Sequence, residues 1–200
     1  MRATQEFFTA RAAHWETRFP DDAPRYAQAV QALVLAPGAH AVDVGCGTGR
    51  AVAPLRAALG AAGQILAIDA TPAMLAEAQR LGWGALTALA VADALRLPVP
   101  AAWADVVFAG GLLPHLDNPA AALTEWARVV RPGGALAIFH PLSRAALAVR
   151  HNHMPSDDDV LAAGRLRALC AAAGWQVTSI DDSAERYLAL AVRRSAAAAL

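Results

Sequence analysis

Three glycines, Gly45, Gly47 and Gly49, punctuate the segment Asp43-Val44-Gly45-Cys46-Gly47-Thr48-Gly49, directly after a short apolar run. Glycine lets the backbone turn sharply and lets a ligand approach where a Cβ would stand. A helix that follows such a loop offers unpaired N–H groups. Together these features make a site for an adenosine-bearing cofactor at the carboxyl edge of a sheet. Asp69 closes the next apolar run, where a carboxylate can accept both hydroxyl hydrogens of a ribose. The loop and Asp69 by themselves fit either a dinucleotide or another adenosine cofactor. A dinucleotide fingerprint would have glycine or alanine at position 50, where this chain has Arg50.

The remaining chemistry-bearing residues are sparse. His115 follows the fourth strand candidate and His140 ends the fifth. Each is a candidate base at a pocket rim, and for His115 a loop histidine bonded to backbone is an equal reading. His151 and His153 sit two apart in a polar stretch with no third ligand in view, so no metal is expected. Cys46 reads as a small loop residue, since nothing nearby would lower its pKa. Cys46 and Cys170 are the only cysteines. They form no disulfide framework, and the expectation is a reducing cytoplasm.

These groups need elements to position them. Residues 4–35 carry a helical pattern broken at Phe19-Pro20-Asp21-Asp22. A strand is expected at 39–44, a helix at 50–59 and a strand at 65–68. Thr71-Pro72 opens a helix running to about Leu81. Strands follow at 86–91 and 105–109. Asn118-Pro119 starts a helix ending near Arg131, and Pro132-Gly133-Gly134 separates it from a strand at 135–139. A last helix is expected from Ser156, helped by Asp157, Asp158 and Asp159, to Gly174. Strands at 176–180 and 187–192 close the chain as a hairpin. The alternation predicts an α/β, Rossmann-like, doubly wound sheet of seven strands, mostly parallel with an antiparallel last strand, behind N-terminal helices.

Composition narrows the function classes. The 200 residues suit one domain, and 56% of them are hydrophobic. Formal net charge is zero, and all 17 basic residues are arginine without a basic stripe. A nucleic-acid partner is therefore disfavoured. The apolar stretch after Trp103 is interrupted by Asp105, two glycines and Pro114, so no membrane span is expected. Arg2, Glu6, Arg11 and Glu16 within residues 1–19 do not fit a secretory signal.

Residues 42–50, VDVGCGTGR, resemble the first motif of the class I S-adenosylmethionine-dependent methyltransferases, in the small-molecule group that includes quinone-biosynthesis enzymes. Residues 65–69 (ILAID) with Pro72 and Met74 are similar to that family's second strand and adenine-side helix. Ala92-Asp93-Ala94 with Leu97-Pro98 is similar to its third motif, and residues 105–119 to its fourth strand and loop. Residues 123–139, LTEWARVVRPGGALAIF, resemble its fifth-strand region. The resemblance spans roughly residues 38–194, in order and spacing.

The resemblance implies a single methyltransferase domain over 1–200, with a helical lid at 1–37 and a cofactor-binding core at 38–195. It implies S-adenosylmethionine as cofactor, S-adenosylhomocysteine as product, and a small-molecule methyl acceptor as partner. Gly45, Cys46 and Gly47 would line the methionine and ribose. Asp43 would orient the loop near the cofactor's amino group, and Asp69 would hold the ribose. Ala70 and Met74 would pack on the adenine, Asp93 would accept from its amino group, and Ala94 would supply backbone. Ala109 and Gly110 would face the methyl. Ala13-His14-Trp15-Glu16 is similar to a lid segment, which makes Trp15 and Phe19 lid residues. Pro114 stands where the family often has a second histidine, and Gly110 replaces a commoner polar residue, so the acceptor side is less polar than in quinone methyltransferases. A nicotinamide-dependent oxidoreductase and a non-catalytic cofactor-binding protein are the competing readings. Arg50, the closing hairpin and the lack of any lysine for a Tyr-x-x-x-Lys pair count against the first.

Overall fold

A computed structural model describes residues 2–195. Strands β1 (His40–Val44), β2 (Gln64–Asp69), β3 (Ala88–Val91), β4 (Ala104–Gly110), β5 (Val130–His140), β6 (Trp175–Ser183) and β7 (Arg186–Arg193) form one sheet. Its order is β3-β2-β1-β4-β5-β7-β6. The first five strands run parallel, and β7 is antiparallel to both β5 and β6. The chain reverses its direction of travel across the sheet between β1 and β4, and that switch point opens a crevice at the strands' carboxyl ends.

Helices α1 (Arg2–Thr9), α2 (Trp15–Arg18) and α3 (Ala23–Gln31) precede the sheet. Helices α4 (Val52–Leu59), α5 (Pro72–Arg80), α6 (Pro119–Val129), α7 (Arg144–Arg150) and α8 (Ala163–Ala172) cover its faces. Strand alternation sends Val107 and Ala109 into one core with Leu123, Trp126 and Leu166, and Val106 and Phe108 into another with Leu55 and Leu59. The two large indoles on the α6/α8 side are satisfied rather than stranded. Trp126 Nε1 donates to the Ala94 carbonyl at 3.0 Å and Trp175 Nε1 to that of Leu123 at 2.9 Å. No helix among the described residues is long and apolar enough to cross a membrane.

Three elements depart from the sequence expectation. The N-terminal segment is not two helices but three short ones joined by 3₁₀ turns at Ala12–His14 and Pro20–Asp22. A straight helix would separate Phe8 from Trp15 by roughly 10 Å of rise, yet their ring centroids are 5.6 Å apart. Folding the segment gathers its aromatics over one spot. The break at Phe19 (φ −136°) is that of a residue held out of the helical region by the following proline.

The last helix begins at Ala163 rather than Ser156. Asp159 uses its carboxylate to accept the Ser156 N–H at 2.9 Å and to reach Arg144 at 3.4 Å, closing a turn in place of a helix start. Helix α7 was not expected. Its N-cap is Ser143, whose Oγ accepts the Ala146 N–H at 3.2 Å. Elsewhere the expected elements stand with shifted ends. The helix begun at Asn118, whose Oδ1 caps Ala121 N at 3.0 Å, stops at Val129. The chain then pairs with β4 already at Val130, and the register slips across Pro132-Gly133-Gly134.

Candidate functional site

The crevice at the switch point holds a cavity of about 320 Å³, at the small end of ligand sites. Its floor is the turn between β1 and α4. Gly45 takes φ +67°, and a Cβ there would lie 2.8 Å from Leu112 Cδ1. Only glycine satisfies both conditions. Cys46 N–H donates to the Ile68 carbonyl at 2.9 Å, and Gly47 N–H to Asp69 Oδ2 at 2.9 Å. A Cβ at Gly47 would meet nothing within 4 Å, so that side of the loop is open. Burial pushes the Cys46 thiol well above its ordinary pKa, which makes it a poor nucleophile.

Asp69 sits at the end of β2 with one backbone donor on each oxygen: Gly47 on Oδ2, and Thr71 on Oδ1 at 2.7 Å. Each oxygen keeps a lone pair for the cavity. Ala70 and Met74 follow on the same wall, with Asp93 and Ala94 beside them after β3. Asp93 Oδ1 accepts the Leu95 N–H at 2.9 Å, fixing the carboxylate's orientation. A hydroxyl-rich ribose with a neighbouring amino-bearing base matches this donor-seeking end.

The N-terminal segment covers the cavity from that end to the other. Gln5 Nε2 donates to the Ala70 carbonyl at 2.8 Å. Trp15 and Phe19 both line the cavity and pack edge to face, 5.0 Å apart. The fastening comes from the loop itself. Arg50 Nε reaches the two oxygens of Glu16 at 3.0 and 3.3 Å, Nη1 reaches Asp22 Oδ2 at 2.8 Å, and Nη2 reaches the Trp15 carbonyl at 3.3 Å. Thr48 Oγ donates to Glu16 as well. The residue that spoils a dinucleotide fingerprint is thus the anchor of the covering segment.

At the far end, Gly110 borders the cavity at the tip of β4. A Cβ there would stand 2.9 Å from Tyr26 Cε1. The space a polar side chain would occupy belongs to Tyr26, whose ring packs on Phe139 at 4.8 Å. Burial raises the phenol's pKa, so Tyr26 stays protonated. His140 Nδ1 accepts the Leu142 N–H at 3.0 Å. Burial, reinforced by nearby His115, Arg150 and His151, holds His140 at about 4. It is neutral at pH 7, and with Nδ1 occupied its proton resides on Nε2. His115 packs edge-on against Phe8 at 5.4 Å. Its pKa is lowered by burial and by His151.

Two of the sequence candidates do not border the cavity. Ala109 is fully buried among the α6-side residues, because strand alternation turns it away from the face that Gly110 presents. Of that pair, Gly110 alone borders the cavity. Asp43 lies beneath the loop, 2% exposed, and its Oδ2 has no hydrogen-bond partner. Burial and the charge of Asp69 raise its carboxyl to about 8. Conversely, Gln5, Phe8 and Tyr26 line the cavity without having been expected to. No motif in the sequence marks them.

Comparison with known proteins agrees with this geometry. Residues 42–138 match the sequence profile of a family described as a methyltransferase domain. A trans-aconitate 2-methyltransferase from Methylobacterium nodulans is 38% identical over 135 residues, 64% of this chain and 50% of its own. The ubiquinone/menaquinone biosynthesis C-methyltransferase UbiE of Cupriavidus taiwanensis is 32% identical over 105 residues, 52% of this chain and 43% of its own. The chain thus spans only about half the length of these curated relatives. A crystal structure of a SAM-dependent methyltransferase from Aquifex aeolicus superposes with a TM-score of 0.77 at 19% identity, covering 92% of this chain and 98% of that one. At that identity the likeness is one of fold.

Proposed function

We propose that this chain, whose residues 42–138 match a methyltransferase-domain family, is a class I S-adenosylmethionine-dependent methyltransferase whose cavity holds the cofactor's adenosine at the Asp69–Asp93 end and a small-molecule methyl acceptor at the Gly110–His140 end. One observation carries this reading: a single cavity joins a carboxylate pair suited to ribose and adenine with an end lined by Gly110, Leu112, His115 and His140 at the tips of β4 and β5. When bound, the cofactor supplies a methyl group already activated as an electrophile.

The protein's task is then alignment and dryness. Asp69 and the open backbone at Gly47 hold the cofactor, and Gly110 lets the Tyr26 ring stand at the approach to the methyl. The aromatics of the N-terminal segment keep water out. Holding two reactants in line supplies roughly 7–11 kcal/mol of barrier reduction. His140, neutral with its proton on Nε2, and the protonated Tyr26 orient an acceptor by donating to it. Neither is set up to remove a proton. The two relatives named above differ in the reactions their names describe, so the acceptor must come from chemistry at the far end.

Calorimetry with S-adenosylhomocysteine and with NAD(P), on wild type and Asp69→Ala, tests the cofactor assignment. The wild type should bind only the former, and the variant should bind it at least about tenfold more weakly, the loss expected for hydrogen bonds to a charged group. Binding of NAD(P) alone, or an Asp69→Ala affinity equal to wild type, would refute it. A labelled-methyl screen over phenols, amines, quinols, thiols and acids identifies the acceptor.

A further inference from the structure

The far end of the cavity carries positive charge that the protein does not neutralise. Three guanidinium groups surround the Phe19 ring: Arg150 with its Cζ 4.7 Å from the centroid, Arg18 at 5.7 Å and Arg50 at 5.8 Å. Arg50 is compensated by Glu16 and Asp22. Arg18 and Arg150 have no carboxylate within ion-pair distance among the described residues. Both line the cavity, and His115, His140 and His151 stand at the same end.

The acids of the cavity wall are committed elsewhere. Asp69 and Asp93 occupy the opposite end, Asp22 is held by Arg50 and Arg25, and Asp117 has a partner of its own. The histidines add donors rather than fixed charge, since His140 is neutral. The persistent charge facing the acceptor therefore belongs to arginine. A guanidinium laid against an aromatic ring has its plane restrained and its fork of N–H groups free. That fork matches a carboxylate in two parallel hydrogen bonds.

We propose that the acceptor is an acid, whose carboxylate is gripped by Arg150 beside Phe19, with Arg18 adding positive charge and His151 hydrogen-bonding capacity, while its apolar body lies between Phe8 and Phe19. The assignment rests on the methyl-transfer reading of the same cavity. It supplies a selectivity that the uncharged groups at Gly110 and Tyr26 lack. An amide or alcohol of the same shape would leave the guanidinium without its counter-charge.

The test uses the whole chain saturated with S-adenosylhomocysteine and titrated calorimetrically with matched acids and amides: benzoate and benzamide, cinnamate and cinnamamide, sorbate and sorbamide. At least one acid should bind about tenfold or more tightly than its amide, as expected for a charge-assisted pair. Arg150→Gln should reduce that preference to within about twofold while leaving S-adenosylhomocysteine affinity unchanged, which also shows that the variant is folded. Absence of preference in all three wild-type pairs would overturn the proposal without any variant, and so would a preference that survives Arg150→Gln. If S-adenosylhomocysteine binds and no acid is preferred, the anion site alone falls. If S-adenosylhomocysteine does not bind, the methyl-donor reading falls and takes the anion site with it.

Discussion

Replacing Glu16 by alanine should loosen the N-terminal segment without touching the cofactor's own contacts. The carboxylate receives Arg50 Nε on both oxygens and the Thr48 hydroxyl. Hydrogen bonds to charged groups are worth about 1.5–3 kcal/mol. The Glu16 side chain is 38% accessible while that of Arg50 is 8%, so solvent screens one partner and the lower half of that range applies. Arg50 also keeps Asp22 at 2.8 Å, which spares the full penalty of an unpaired buried charge. A loss of roughly 1.5–2 kcal/mol shifts the closed-to-open ratio by about 10- to 30-fold. S-Adenosylhomocysteine should then bind up to that much more weakly. Amide hydrogen exchange across residues 4–22 should accelerate, while β1 and β4 amides stay protected. Equal affinity together with equal exchange in residues 4–22 would show that the Arg50 cluster does not hold the segment down.

Two further variants examine the floor and the far wall. Asp43 is protonated in the ligand-free fold up to about pH 8, against an ordinary value of 3.8. Between those values the native state binds the proton that the unfolded chain has released, so stability should fall as pH rises through that window, at up to about 1.4 kcal/mol per pH unit. Asp43→Asn removes this contribution. Denaturant unfolding from pH 5 to 8 should show a shallower fall and a more stable variant at pH 8, the residual slope coming from Asp69, which burial also raises. Superimposable profiles would mean that Asp43 is not held neutral. Gly110→Ala drives a methyl to 2.9 Å from Tyr26, which is wedged against Phe108 and Phe139. It should cost roughly 1–3 kcal/mol, read as a fall in Tm of several degrees. A Tm within one degree of wild type would show that Tyr26 yields freely.

What the sequence revealed and what it hid divide along a physical line. The glycine turn, Asp69 and the Asn118 cap act through their own backbone and nearest neighbours, so they are legible from residue type and spacing, whereas Pro132-Gly133-Gly134, read as a break, lies inside β5 and shifts its register against β4. The positions that misled are those where a distant partner decides. Asp157-Asp158-Asp159 carries the electrostatics of a helix start, but Asp159 is drawn to Arg144 and to the Ser156 N–H. Tyr26 looks like one more position on an amphipathic helix. Its place against Gly110 depends on how α3 crosses the sheet. Arg50 was read as the absence of a glycine, and its four contacts lie in residues 15–22. Ala109 was named together with Gly110, but adjacent strand residues face opposite sides, and only Gly110 borders the cavity.

The three loop glycines are held in place by different demands, and this bears on how such a motif would decay by descent. A Cβ at Gly49 would strike Trp83 Cδ1 at 2.5 Å, and one at Gly45 would strike Leu112. Both collisions are with the protein's own side chains, whether or not a ligand is present. A descendant that abandoned catalysis would still be selected to retain these two glycines for the sake of its fold. Gly47, with φ +54° and empty space beyond it, tolerates a residue such as asparagine once no ligand needs the room. The middle glycine is therefore the diagnostic one: its replacement in a related chain would mark lost cofactor binding, while the outer pair would persist as a fossil of it.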